Sequence, residues 1–311
     1  MWGTSYGTRA AQEYIRRFPN RVRSVVFLGS FPNGTKYLVE RYVFAQKALE
    51  RLLEDCAQDE DCRRAFPAIK QEFAELLDRL AKEPAKAKLK HPRRDAAEEL
   101  LITRETFTEK LRVLLSSHLA LPLLPYVIHQ AHGGNYEPFL KLAIPPKIDK
   151  AGPELALYLC VAFTDDIPFL SLADRDRDAS RTYMANNLVK LTQQYQQVWP
   201  TGDAPRDFHD PVASDIPALL ISGHFDPLTP FEGGEQLSVR FKNSKHVIVP
   251  RMSHVPFGLP NEQEDFLSVL DDFFDRGSVT GLDTSRLNRL KAPPYLTSDL
   301  EFRLKMLLWW R

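Results

Sequence analysis

The sequence carries no excess of either charge. Lysine plus arginine number 41 and aspartate plus glutamate also number 41, so no global field draws the chain toward nucleic acid or an anionic membrane. No apolar run approaches the length of a membrane span. No secretory leader is visible at the start. Cysteine is scarce, with three in 311 residues, and no histidine stands beside Cys56 and Cys62 to complete a zinc site. No metal or organic cofactor is implied. The length allows a substantial core in one or two domains. The one concentrated basic stretch, Lys86 to Arg94, runs into Asp95, Glu98 and Glu99. Its alternation reads as a solvated strand entering a turn, not as a nucleic-acid site.

The informative segment is Gly3-Thr4-Ser5-Tyr6-Gly7, a G-x-S-x-G pentapeptide. It has the form of a nucleophile elbow, a sharp strand-to-helix turn that lifts a serine hydroxyl above a sheet. Both glycines are expected to relieve crowding between strand and helix. Ala10, Ala11, Tyr14, Ile15 and Phe18 recur at helical spacing after the serine. Pro19-Asn20 stops that helix. Val25 to Leu28 then reads as a parallel strand buried on both faces, ending in Gly29.

An elbow serine needs an acid and then a histidine, in that order along the chain. Ile216 to Ser222 reads as a buried strand running into Gly223-His224-Phe225-Asp226-Pro227. A helical stretch from about Phe231 to Phe241 leads to a second strand, His246 to Val249, and then to His254. Asp226 and His254 thus follow successive strands, and loops after parallel strands converge on one edge where ligands bind. Serine is a weak nucleophile until a base removes its proton. His254 can serve as that base near neutral pH, with Asp226 holding the imidazole tautomer. The plainer alternatives are a turn begun by Asp226 before Pro227 and a loop histidine at His254. His91, His118, His129, His132, His209 and His246 lack a comparable setting, and His224 reads as structural.

The segments GTSYGTRAAQEYIRRFPNRVRSVVFLGS, LLISGHFDPLTP and HVIVPRMSHVPFG together resemble the tripeptidyl aminopeptidase and prolyl aminopeptidase-like branch of the α/β-hydrolases. Asp55-Cys56 to Cys62 with Arg63-Arg64-Ala65-Phe66-Pro67, Thr164 to Phe169, Phe208 to Val212 and Gly281 to Ser285 are similar to further motifs of that branch. The resemblance implies a serine peptidase that releases residues or short peptides from free N-termini through an acyl-enzyme on Ser5. It implies the backbone N–H of Tyr6 as an oxyanion donor and Asp165 and Asp166 as the acids that hold the substrate's ammonium. Local capping or pairing is the other reading of those two acids. It also implies a Cys56–Cys62 disulfide and an exported, periplasmic or extracellular protein. The pattern departs at Phe163, where the branch carries cysteine, and at Arg286, where it carries another. An esterase would use the same triad without an ammonium-binding acid.

The expected fold is α/β: an α/β-hydrolase core with a truncated parallel sheet and a large helical lid. Residues 1–34 and 205–275 supply the core, 35–204 the helical insertion, and 276–311 a tail with a terminal helix. Helical spacing recurs over Leu38–Leu53, Ile69–Leu80, Leu121–His132, Tyr136–Leu142, Glu154–Phe163 and Tyr183–Val198. Thr103 stands as N-cap of a helix to about Leu115. In the tail, Ser298 and Glu301 have capping-box spacing, and Leu300, Leu304, Leu307, Leu308, Trp309 and Trp310 form the expected apolar face. The elbow begins at Gly3, whereas several strands and a His-Gly-Gly type oxyanion loop precede it in the branch it resembles. The expectation is a strand 25–28 with one unpaired side and a weakly active or inactive fragment.

Overall fold

The computed structural model describes residues 1–90, 97–144, 153–171, 202–255, 262–290 and 293–309, with short pieces at 173–174, 182–184, 194–195 and 198–199. The chain opens with β1 (Trp2–Thr4), α1 (Tyr6–Arg17) and β2 (Val25–Leu28). A long helical segment follows: α2 (Tyr37–Gln58), α3 (Glu60–Ala65), α4 (Ile69–Lys82), the hairpin β3 (Ala85–Lys90) and β4 (Ala97–Ile102), α5 (Arg104–Leu115), α6 (Leu124–His132), α7 (Glu137–Ala143) and α8 (Pro153–Val161). The chain then returns through β5 (Ala218–Gly223), α9 (Phe231–Ser238), β6 (Ser244–Val249), α10 (Glu262–Arg276) and α11 (Asp299–Trp309).

β1, β2, β5 and β6 pair in that order, all parallel. Parallel strands buried on both faces read as continuous apolar runs, and β2 shows why. Val25 and Phe27 join Ile15 of α1 and Leu237 of α9 on one face. Val26 and Leu28 join Phe266 and Phe273 of α10 on the other. The result is an α/β arrangement of helices on both faces of a parallel sheet. The expected unpaired side of strand 25–28 is not found. β2 lies between β1 and β5, and even the amide of Val26 is taken up by the carbonyl of Met1 at 3.0 Å. Three residues suffice for β1 because Trp2 also packs on Phe266, with ring centroids 5.6 Å apart.

The helical segment has its own core, shared by α2, α4, α5, α6 and α7. Thr103 caps α5, its hydroxyl accepting from the amide of Thr106 at 3.1 Å, a contact worth about 1 kcal/mol. The start of the basic run is strand β3, where Lys86 reaches diagonally across the hairpin to Glu99 at 3.8 Å while Lys88 lies directly opposite Glu99. Its turn, and most of the helix expected over Tyr183–Val198, lie outside the described residues. Cys56 and Cys62 are joined at the α2–α3 junction, their Cα atoms 5.2 Å apart. Cys160 is free and exposed.

The tail docks on this helical body, and by a different face from the one expected. Phe302 and Met306 are buried, and Phe302 stacks on Tyr126 at 5.1 Å. Leu300 and Leu304 face outward. Leucine count misled here because the buried stripe is carried by Phe302 and Met306, four residues apart on one side of the helix. The side chains of residues 307–311 lie outside the described set. Ser298 and Glu301 do form the reciprocal cap, with Ser298 N donating to Glu301 Oε2 at 3.1 Å and Glu301 N to Ser298 Oγ at 3.4 Å.

Candidate active site

Ser5 sits between β1 and α1 with φ 54° and ψ −123°. Such a conformation costs a non-glycine residue about 1–3 kcal/mol and persists only where its surroundings enforce it. They do so from both sides. The amide of Ser5 donates to the carbonyl of Leu28 at 3.0 Å. Its own carbonyl accepts from the Thr8 amide at 2.9 Å and the Thr8 hydroxyl at 2.6 Å. Of the two motif glycines only Gly3 is required sterically, since a Cβ there would meet the Gly7 carbonyl oxygen at 2.5 Å. At Gly7 a Cβ would meet nothing, so the expectation of crowding on both sides is corrected. The amides of Tyr6 and Gly7 open α1 and have no carbonyl partner within the helix.

Asp226 follows β5 and is fully buried. Its Oδ1 accepts from the amides of Leu228 at 2.8 Å and Thr229 at 2.9 Å. Its Oδ2 accepts from the Thr229 hydroxyl at 2.6 Å and lies 2.9 Å from His254 Nδ1. The turn from Asp226 to Thr229 thus holds the carboxylate rigid before the histidine meets it. Burial pulls the imidazole of His254 toward neutrality, but the charge and hydrogen bond of Asp226 outweigh it, and its pKa stands above the ordinary histidine value. With Nδ1 engaged by Asp226 and Thr229, Nε2 is left for another partner.

Gly29, directly after β2, shows how close the parts stand. A Cβ on it would come 3.2 Å from His254 Nδ1 and 2.8 Å from Thr229 Oγ1. The preceding residue, Leu28, holds the amide of Ser5. Ser5, Asp226 and His254 therefore gather at the carboxyl edge of the sheet around one glycine. Among the described residues no hydrogen bond joins Ser5 Oγ to His254.

A cavity of about 280 Å³ opens beside Ser5. Ser5, Tyr6 and Phe31 of the sheet core line it together with Tyr37, Leu157, Tyr158 and Asp166 of the helical segment. Asp165 and Asp166 lie on a π-helical turn, Ala162–Asp166, at the end of α8. Such turns re-aim side chains at functional sites. Tyr6 Oη donates to Asp165 Oδ2 at 2.8 Å. Burial, and then this bond, push the phenol well above its ordinary pKa, so it stays a donor. Asp166 pairs with Arg9 at 3.0 Å, both side chains buried. Burial raises the pKa of Asp166 against the opposing pull of Arg9.

Sequence reasoning missed four members of this constellation. Thr229 was legible as the end of a D-x-x-T turn. Arg9 carries no signal beyond its place one turn after the serine. Gly29 was read as the end of a strand, not as the seat of the imidazole. His209, passed over as lacking context, engages the carbonyl of Asp165 and stacks on Phe169 at 4.1 Å. Among the described residues no group of three or more His, Cys, Asp or Glu is placed to hold a metal. No helix of the described residues is long and apolar enough to cross a membrane.

Residues 183–285 match the family described as TAP-like protein. The matched range contains Asp226 and His254 but not Ser5. These findings support an α/β-hydrolase family. The chain is also 36% identical over 63 residues to the pimeloyl-[acyl-carrier protein] methyl ester esterases of two strains of Neisseria meningitidis serogroup B. That stretch is 20% of this chain and 24% of each relative, so the chain spans about a quarter of the length of the curated relatives it matches. Both comparisons support a hydrolase.

Proposed function

We propose that the protein is a serine hydrolase that releases residues or short peptides from free N-termini. Ser5 Oγ attacks the acyl carbonyl as His254 takes its proton. Asp226 stabilises the imidazolium, and the Tyr6 amide donates to the oxyanion. His254 then returns the proton to the departing amine, leaving an ester on Ser5. Water, deprotonated by His254, attacks that ester and frees the acid and the serine. The helical segment acts as a lid that excludes water from the cavity.

The observation that carries the peptidase reading is Asp166 at the wall of the serine's cavity, with Asp165 beside it on the same turn. Of the two carboxylates on that turn Asp166 is paired with Arg9, which leaves Asp165 to receive a substrate ammonium. Tyr6 ties the acids to the chemistry, since its amide follows Ser5 and its hydroxyl holds Asp165. The disulfide favours an oxidising, extracytoplasmic location. The experiment is hydrolysis of an alanyl p-nitroanilide with a free or an acetylated amine, with Ser5→Ala as control. Preference for the free amine, lost in Ser5→Ala, is the expected result; equal turnover of both forms overturns the N-terminal reading.

The second reading is an esterase, favoured by the printed activity of the Neisseria relatives. It uses the same Ser5, His254 and Asp226, and turnover of p-nitrophenyl esters without any amide hydrolysis would select it.

A further inference from the structure

A second charged group stands behind the same cavity, and the chemistry above makes no use of it. Arg41, on α2, is 7% exposed. Among the described residues its guanidinium makes one hydrogen bond, Nη1 donating to the neutral hydroxyl of Tyr158 at 3.1 Å. It lies 5.8 Å from the ring centroid of Tyr37 and 5.3 Å from that of Tyr42. Its Nε is buried with no partner among the described residues. Among the described residues no carboxylate comes within ion-pair distance. The nearby acids are committed elsewhere: Glu109 binds Arg112 at 2.7 and 3.0 Å, and Asp166 binds Arg9.

Magnitudes decide what this means. Taking a charge out of water costs several kcal/mol even after relaxation. Cation–π contacts and a single hydrogen bond return only part of that cost. A fold has little reason to keep such a cation for packing alone, because an apolar side chain of similar volume would serve at least as well. Its neighbours Tyr37 and Tyr158 both line the cavity that holds Ser5. Tyr158 accepts from Arg41, so its own hydroxyl proton remains to be given to something else.

We propose that Arg41 and Tyr158 form a recognition site for a carboxylate on the acyl part of the substrate, so that Ser5 is acylated preferentially by acyl groups bearing an acidic side chain. Tyr158 Oη donates to the carboxylate and Arg41 neutralises it. In a peptide with a free N-terminus this selects an aspartyl or glutamyl residue, its ammonium toward the acid pair and its side-chain carboxylate toward Arg41. The proposal rests on the acyl-transfer reading only through Ser5 and does not require the amine site.

The test therefore uses substrates without an amine. The kcat/KM for mono-p-nitrophenyl glutarate is compared with that for neutral p-nitrophenyl butyrate. The wild type favours the glutarate ester, and Arg41→Met lowers the glutarate-to-butyrate ratio by roughly 10–100-fold, the value of one charge-assisted hydrogen bond. Arg41→Lys keeps part of the preference, and Tyr158→Phe falls between. Binding is measured separately by titrating glutarate calorimetrically into the Ser5→Ala protein. Heat that disappears in Ser5→Ala/Arg41→Met supports the site even if neither ester is hydrolysed, in which case it is the serine chemistry that has failed. A ratio unchanged by Arg41→Met, or glutarate binding equally with and without Arg41, overturns the proposal. Thermal melting gives an independent check, since Arg41→Met melts at or above the wild-type temperature if the cation is kept for a ligand. A lower melting temperature with equal loss on both esters would make Arg41 structural and also overturn it.

Discussion

The two walls of the cavity handle polarity differently. On the sheet side the charged group is satisfied locally. Asp226 has four hydrogen-bond contacts, three of them from the next three residues and the fourth with His254. On the helical side, satisfaction is incomplete and depends on distant partners. Asp165 receives its one described side-chain bond from Tyr6, and among the described residues the Nε of Arg41 is buried without a partner. In the proposed reaction, the sheet edge is preorganised for charges that are the same for every substrate. The helical wall keeps unsatisfied capacity that a particular substrate would fill. Buried polar groups left unpaired are costly, so under the proposed function this contrast divides a catalytic wall from a recognition wall.

The contrast is broken most severely at Asp226. Asp226→Asn lets the imidazole take the wrong tautomer, and kcat is expected to fall on the order of 10³–10⁴-fold. The pH profile adds a signed test. Asp226 holds the pKa of His254 above its ordinary value. A base must be neutral to act, so the acid limb of the wild-type profile lies above that value and moves to lower pH in Asp226→Asn. An acid limb that stays put would detach the limb from His254.

On the helical wall the loss should be selective. Asp165→Asn keeps a partner for Tyr6 and leaves the Arg9–Asp166 pair intact, but it removes the uncompensated charge. The kcat/KM ratio of free-amine to acetylated p-nitroanilide is expected to drop roughly 10–100-fold, one charge-assisted hydrogen bond. Asp166→Asn strands Arg9 in the interior and is expected to lower stability by about 3–5 kcal/mol, which a denaturant melt would register. A stable Asp166→Asn that loses amine preference, beside an indifferent Asp165→Asn, would exchange the roles of the two acids.

Thr229 tests how local the preorganisation is. Thr229→Val keeps the shape of the side chain but removes the hydroxyl that bonds Asp226 Oδ2 at 2.6 Å. Two backbone amides still hold the carboxylate, so the expected loss is small, about 5–13-fold in kcat, matching one hydrogen bond of about 1–1.5 kcal/mol. KM should hardly move, because Thr229 acts on orientation. Loss confined to KM would instead place the hydroxyl in substrate binding.

These two walls were unequally legible. The sheet edge could be read in advance because its logic is local: a pentapeptide marks the turn, apolar runs mark strands, and residues just past strands meet at one edge. Two of its hidden members, Thr229 and Gly29, are hidden only by being common residue types. The recognition wall follows from tertiary meetings that no spacing announces. Tyr6 meets Asp165 across 159 positions and Arg41 meets Tyr158 across 117. The π-turn that aims the acids looks like ordinary helix in the sequence. The C-terminal helix failed for another reason: its leucines outnumber the residues that pack, and only the docking surface at Tyr126 shows which stripe is buried.

The smallest effect concerns acid stability, and it asks whether the two regions melt as one body. Burial lowers His118 in the helical segment to about 4 and His246 on β6 to about 4, from 6.5. A histidine depressed in the folded state binds fewer protons there than when unfolded. Its contribution to stability therefore falls as pH drops from about 6.5 to about 4 and is level outside that window. His254 runs the other way, because its folded pKa is raised: its contribution is complete below 6.5 and is lost as pH rises through the folded value. The melting temperature should therefore decline steadily below pH 6.5. His246→Gln can keep the 3.0 Å contact with Ser222 Oγ and should flatten part of that decline, as should His118→Gln. If the sheet and the helical body unfold cooperatively, each variant shifts one shared transition. If two transitions separate on acidification, His246→Gln will move only the one reporting the sheet, and the recognition wall can then be loosened without unfolding the catalytic edge.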